Sequence, residues 1–232
     1  MDKLINNGIK VDMILCDLPY GTTACKWDNI IPFDMLWQNY ERIIKKNSAI
    51  VLFGIQPFTS SLIMSNIKRF KYEIIWHKSK SGSEFTAKYR PVAKHESILV
   101  FGKGKIIYNP QMVEGSPYRR VHKVSENYIN NHNIGFNIKE SITENKGERY
   151  PGSVQYFPQK WRQQDQLHPT QKPVELCEWL IKSYSNEGDL ILDNSMGSGS
   201  TGIACKNLNR DFIGIEFDEK YYNIAKQRIE IA

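Results

Sequence analysis

Asp17, Leu18, Pro19 and Tyr20 follow the apolar run VDMILC (11–16) and set a carboxylate, a backbone carbonyl, a rigid turn and an aromatic ring within four positions. That combination suits one demanding reaction. An exocyclic amine on a nucleobase is a poor nucleophile, because its lone pair is delocalised into the ring. A carboxylate accepting one N–H and a carbonyl accepting the other draw the nitrogen toward tetrahedral geometry and free the pair. Asp17 and the Leu18 carbonyl can do this, while Pro19 fixes φ and carries no competing N–H. Tyr20 gives a base withdrawn from a helix a ring to stack on, which contributes about 1–3 kcal/mol against the few kcal/mol that extrusion costs. Taken alone, the same four residues also read as a plain turn with a surface tyrosine.

A second group lies near the other end of the chain. DLILDNSMGSGSTGIA (189–204) places Gly197 and Gly199 between a strand and a helix, where a ligand can approach backbone that has no Cβ. Glu216 ends the next strand, nineteen positions after Gly197, and can accept hydrogen bonds from the two hydroxyls of a ribose. No lysine follows the glycines as a polyphosphate loop requires, and the third glycine of the dinucleotide pattern has no match. The ligand expected here is a nucleoside without a polyphosphate. S-adenosylmethionine meets that description.

Both groups need strands to carry them. VDMILC (11–16), AIVLF (49–53), YEIIWH (72–77) and SILVF (97–101) read as strands, and FDMLWQNYERIIKK (33–46) puts Leu36, Trp37, Tyr40, Ile43 and Ile44 on one helical face. Regularity returns with PVELCEWLIKSY as helix, DLILD as strand, GSTGIACKNL as helix, FIGIE as strand and DEKYYNIAKQRI as helix. Alternation of this kind predicts an α/β fold: a doubly wound, mostly parallel sheet with a small inserted lobe. From about Asn109 to Gln166 the periodicity fails, and NYINNHNIGFNIKESITENKGERYPGS reads as irregular.

The 232 residues carry a formal charge of +6, and the excess is concentrated. Residues 78–165 hold fifteen Lys or Arg against eight Asp or Glu, a net +7, whereas the rest has sixteen against seventeen, a net −1. A basic middle interleaved with tyrosines suits a polyanion such as nucleic acid, although a solvated basic face has the same composition. The cysteines, Cys16, Cys25, Cys177 and Cys205, have no metal-ligand spacing, so reduced structural thiols and no metal are expected. No run approaches the eighteen or so apolar residues of a membrane span, and the expected location is cytoplasmic.

These pieces together resemble the amino-methyltransferases that act on DNA, whose signature is Asp, Asn or Ser, then Pro-Pro, then an aromatic residue. Here it stands as Asp17-Leu18-Pro19-Tyr20. YEIIWHKS (72–79), KHESILVFGKG (94–104), HPTQKPVEL (168–176) and IGIEFDEKYYNIA (213–225) extend the resemblance over nearly the whole chain, and the motif order is that of the permuted β group. The resemblance implies a Rossmann-like methyltransferase fold: residues 1–108 as catalytic half, 109–166 as inserted DNA target-recognition region and 167–232 as cofactor-binding half. It implies methyl transfer from S-adenosylmethionine to a flipped base in double-stranded DNA, with Asp17, Leu18, Pro19 and Tyr20 catalytic. His168, Thr170, Lys172, Asp193, Gly197, Ser198, Gly199, Thr201 and Glu216 surround the cofactor, with Lys172 able to meet its carboxylate. Lys88, Arg90, Arg119, Arg120 and Lys123 are the expected DNA contacts, and a homodimer is compatible with the group.

An aspartate at the first catalytic position points to adenine N6, with cytosine N4, where serine is commoner, as the alternative; a weakened subunit that only binds DNA is the rival from another class. Three departures stand out. Leu18 replaces the first proline, though the carbonyl survives. Asn194 and Ser195 stand where Pro-Phe is common, so the ring that packs on the cofactor is missing there. Family members usually begin with another strand bearing an acid for the cofactor's adenine, whereas MDKLINNGIK reads as a short helical lead. The adenine pocket is then expected to be completed by a neighbouring chain or left open.

Overall fold

The computed structural model describes residues 1–21, 28–80, 87–123, 140–159 and 171–232, with only the backbone of 122, 123, 140 and 141. In chain order its elements are α1 (Asp2–Asn6), β1 (Val11–Cys16), α2 (Phe33–Ile43), β2 (Ile44–Gly54), α3 (Phe58–Ser65), β3 (Phe70–His77), β4 (His95–Gly102), β5 (Val113–Glu114) and β6 (Tyr118–Lys123). There follow β7 (Glu140–Asn145), β8 (Glu148–Arg149), β9 (Val154–Tyr156), α4 (Val174–Tyr184), β10 (Leu190–Asp193), α5 (Ser200–Asn207), β11 (Asp211–Gly214) and α6 (Glu219–Ile231). They form two compact units, Met1–Asn109 with Gly152–Ala232, and Pro110–Pro151.

The larger unit is built on a seven-stranded sheet in the order β11-β10-β1-β2-β4-β3-β9. It is mostly parallel, as the alternation of elements predicts; β4 alone runs against its neighbours β2 and β3. The chain leaves β1 toward β2 on one side, and β10 pairs with β1 on the other, with Met13 opposite Ile191. Strand order therefore reverses between β1 and β10, and the crevice beyond their carboxyl ends is where open α/β sheets bind ligands.

Period-two alternation buries both faces of the central strands. Met13, Leu15, Val51 and Phe53 pack with Leu176, Cys177, Leu180 and Ile181 of α4 and Ala204 and Cys205 of α5. Ile14, Cys16, Ile50 and Leu52 point the other way, onto Leu36, Trp37, Tyr40 and Ile43 of α2 and Phe58 and Leu62 of α3. Each such side chain contributes about 1.5–3 kcal/mol when fully buried. The helical face read from the sequence is the buried face of α2, but Ile44 already begins β2, five residues before the apolar run at Ala49. Lys45, Lys46 and Asn47 are exposed and carry no apolar signal, and Asn47 takes a positive φ of 63° within β2, where its register against β1 shifts.

Among the described residues of the smaller unit, β5 pairs with β8 and β6 with β7, all antiparallel. β7 and β8 fall inside a stretch that reads as irregular. Ile142 is the one apolar residue of ESITEN and is itself exposed, so cross-strand hydrogen bonding rather than burial makes this strand. β9, three residues long, pairs with β3 in the main sheet and also lies within the 109–166 span. Cys16, Cys177 and Cys205 are buried free thiols, and Cys25 lies outside the described residues. Among the described residues no helix is long and apolar enough to cross a membrane, and no three His, Cys, Asp or Glu side chains converge as metal ligands.

Candidate active site

Asp17 is the first residue beyond β1, and both of its oxygens are engaged. The Tyr20 hydroxyl donates to Oδ1, and Lys172 Nζ donates to Oδ2 at 2.5 Å. The turn that makes this possible is tied down by the Gly21 amide, which donates to Oδ1 of buried Asp28 at 2.8 Å. Leu18 is buried at 4 % exposure, and the Tyr20 ring lies 5.1 Å from that of Phe58 on α3. Burial pushes the Asp17 carboxyl up, and the Lys172 ammonium works against that rise. Burial and the neighbouring Asp17 charge also push the Tyr20 phenol well up, so it remains a donor.

The glycine bend joins β10 to α5. Gly197 and Gly199 have φ of 51° and 83°, in the left-handed region that favours glycine, and a Cβ at Gly199 would lie 2.9 Å from that of Ala225. Asp193, at 3 % exposure, accepts from the Ser195 amide at 3.1 Å and the Thr201 hydroxyl at 2.7 Å. Burial lifts it to about 6 despite those two hydrogen bonds. Glu216, just beyond β11, is held by three amides: Gly197 on Oε2 at 2.8 Å, and Phe217 and Asp218 on Oε1 at 2.8 and 2.9 Å. Tyr40 of α2 donates to Asn194 Oδ1 at 2.6 Å, anchoring the start of the bend to the helix layer.

A single cleft is lined by Asp17, Leu18, Pro19, Tyr20 and Lys172 together with Asp193, Gly197, Ser198, Thr201 and Glu216. The structure thus brings together two motifs some 180 residues apart in sequence. Gly199 sits at the start of α5 and shapes the bend from behind. Lys172, aimed from sequence at a cofactor carboxylate, has its ammonium on Asp17 and 3.4 Å from Glu96. His168, Thr170 and the Lys123 side chain lie outside the described residues. Lys88 and Arg90 are exposed on the larger unit, and Arg119 and Arg120 on the smaller.

Several lining residues were missed in sequence. Phe217 is wholly exposed and borders the same cleft, next to Glu216, so a free aromatic face stands there although Asn194 and Ser195 offer none. An aromatic residue directly after a strand-ending acid was the available signal. Asp28 and Asn29 also line the cleft, from a segment without periodicity. Glu96 joins the Asp17 cluster through Lys172 and also pairs with Lys78.

The N6/N4 methyltransferase family, described as DNA methylase, matches residues 11–227. The type II methyltransferase M.HpaI of Haemophilus parainfluenzae is 29% identical over 235 residues, 95% of this chain and 68% of that protein. The DNA adenine methyltransferase YhdJ of Escherichia coli strain K12 is 25% identical over 236 residues, 96% of this chain and 77% of its own length. Among solved structures, the M1.HpyAVI–SAM complex is similar with a TM-score of 0.66 at 26% identity, covering 98% of this chain and 93% of that one.

Proposed function

The chain belongs to the N6/N4 DNA methylase family of S-adenosylmethionine-dependent methyltransferases, and on that premise we propose that it methylates adenine N6 in duplex DNA after the base has rotated out of the helix. The observation that carries this is the one cleft shared by Asp17 and Tyr20 with Gly197 and Glu216. When bound, S-adenosylmethionine supplies a methyl group on a positively charged sulfur.

The residues present fit that group. Glu216, oriented by three backbone amides, keeps lone pairs for a ribose diol. Phe217 offers an uncovered ring for the adenine, and Gly197 beside Ser198 leaves room for close backbone approach, with Asp193 held in place by Thr201. On the DNA side, Asp17 accepts one N–H of the target amine and the Leu18 carbonyl the other, while the Tyr20 ring stacks on the base. Burial raises the Asp17 carboxyl against the pull of the Lys172 ammonium, which makes it a better acceptor for the proton that the methylated nitrogen sheds. Holding the amine about 3–3.5 Å from the methyl carbon turns a collision into a unimolecular step.

An aspartate at the first catalytic position supports adenine as the target, as does a relative named a DNA adenine methyltransferase. The relative named a type II methyltransferase supports a role beside a restriction system. Lys88, Arg90 and Arg120 are the proposed phosphate contacts. Arg119 is weaker in that role, because its guanidinium already donates to Glu144 across the β6–β7 pair at 3.2 Å. The pairing puts Tyr118, Arg120, Thr143 and Asn145 on one face of the ribbon and Arg119, Val121, Ile142 and Glu144 on the other. The acid-free face is the one suited to DNA.

Tritium transfer from labelled S-adenosylmethionine into unmethylated plasmid, followed by digestion to nucleosides, tests the proposal. N6-methyladenine is expected with the wild type and none with Asp17→Ala, whose DNA affinity should persist. N4-methylcytosine would move the target to the other amine. No methylated base at all with the wild type would overturn the proposal.

A further inference from the structure

The catalytic carboxylate waits with both oxygens already engaged. Oδ1 of Asp17 takes the Tyr20 hydroxyl and Oδ2 takes the Lys172 ammonium, an N–H donor of the same kind as the exocyclic amine the site must capture. An amine that takes the lone pair of Oδ2 now used by Lys172 displaces that ammonium. At 8 % side-chain exposure, a displaced ammonium without a new acceptor would be an unpaired buried charge, which is strongly unfavourable. The structure holds such an acceptor ready. Glu96 enters from β4, and its Oε1 takes Lys78 Nζ at 2.9 Å. Its Oε2 is buried, has no hydrogen-bond partner among the described residues, and lies 3.4 Å from Lys172 Nζ. A shift of well under 1 Å brings that pair into ordinary hydrogen-bond range.

We propose that Lys172 keeps the target amine's seat on Asp17 until the base arrives and then passes to Glu96 Oε2, which makes Glu96 a positioning residue for base capture. This rests on Asp17 being the amine acceptor. Among the described residues the cluster holds two acids and two ammoniums, Asp17 and Glu96 with Lys172 and Lys78, and a neutral amine enters without changing its net charge. The Lys172 and Lys78 ammoniums hold Glu96 below its usual range against the upward push of burial. Burial alone would lower Lys172, yet Asp17 and Glu96 raise it, so the ammonium stays charged in either place. Phe53 closes one side, its ring centroid 4.9 Å from Nζ, and so confines the ammonium to travel between the two carboxylates.

Among the described residues, the groups facing Asp17 are Lys172 ahead of α4, Cys177 on α4, Glu96 on β4, Tyr20 on its own turn, and Cys16 and Asp193 at the ends of β1 and β10, with Lys78 acting through Glu96. Ionised Asp17 is the active form, so activity falls as pH drops through its folded value. Lys172→Met removes the charge that lowers this value, and the acid limb of kcat/KM should move up by about one pH unit or more. Glu96→Gln removes a charge that raises it, and the limb should move down. The same Glu96→Gln variant leaves Lys172 no charged landing place, so plateau kcat/KM should fall about tenfold or more.

The assay is methyl transfer into plasmid DNA across pH 5–9, with thermal midpoints as a folding control. If Glu96→Gln does not fold, Glu96→Asp keeps the charge for Lys78 but draws the carboxylate back by one methylene. A lowered rate with an unmoved acid limb then supports the proposal. Wild-type rate and profile in the Glu96 variant, with Asp17→Ala inactive, overturn it. Full turnover by Asp17→Ala would instead overturn the assignment of the amine acceptor on which it rests.

Discussion

Asp193→Asn should stabilise this protein at neutral pH. Asp193 closes β10 at 3 % exposure, and burial lifts its carboxyl from the ordinary 3.8 to about 6, with the Thr201 and Ser195 hydrogen bonds pulling the other way. Because the folded value lies above the unfolded one, the associated stability is fully present below pH 3.8 and is lost as pH rises through 6. At pH 7 the folded state therefore holds a charge it would rather not hold. Two pH units at about 1.4 kcal/mol each amount to roughly 3 kcal/mol, an upper figure because the site relaxes on ionisation. Asparagine removes the charge and keeps both contacts: Oδ1 accepts from the Ser195 amide, and Nδ2 donates to a rotated Thr201 hydroxyl. Urea unfolding followed by the fluorescence of the five tryptophans measures the gap between variant and wild type. The gap should be small near pH 4 and grow to about 2–3 kcal/mol in favour of the variant by pH 7.5. A gap that stays flat with pH, or a variant less stable at pH 7.5, refutes the electrostatic account of Asp193.

Other consequences can be checked separately. Glu216→Gln should weaken S-adenosylmethionine binding about tenfold or more in isothermal titration, since hydrogen bonds to a charged acceptor contribute about 1.5–3 kcal/mol; unchanged affinity would remove the ribose from this carboxylate. Gly199→Ala forces a side chain into φ 83° and to within 2.9 Å of Ala225 Cβ, and should destabilise by about 2 kcal/mol, lowering Tm by about 5 °C. A wild-type Tm would mean that α6 yields at Ala225. Arg120→Ala should reduce DNA affinity and lower its salt slope by about one, with a smaller effect from Arg119→Ala. Equal effects would contradict the division of the β6–β7 ribbon into two faces.

What the sequence could and could not disclose follows from how local each constraint is. Asp17 and Glu216 were legible because each ends an apolar strand, and strand ends in a doubly wound sheet converge on one crevice whatever the connections between them. Glu96 obeys a different logic. Its place beside Lys172 depends on β4 inserting antiparallel between β2 and β3, with Ser97 opposite Gly54 and Glu96 opposite Trp76. No periodicity in SILVF distinguishes that direction from a parallel one, since both leave the strand apolar on two faces. Lys172 shows the same gap in electrostatic form. A lysine ahead of a helix and near a nucleoside pocket suggests a cofactor carboxylate as its partner, but a buried ammonium goes to whichever anion costs least to approach. With Asp17 and Glu96 both within 3.4 Å, those are the anions it meets. A constellation built from neighbours in different strands is therefore settled by sheet order and desolvation together, and the chain writes out the strands but neither of those two.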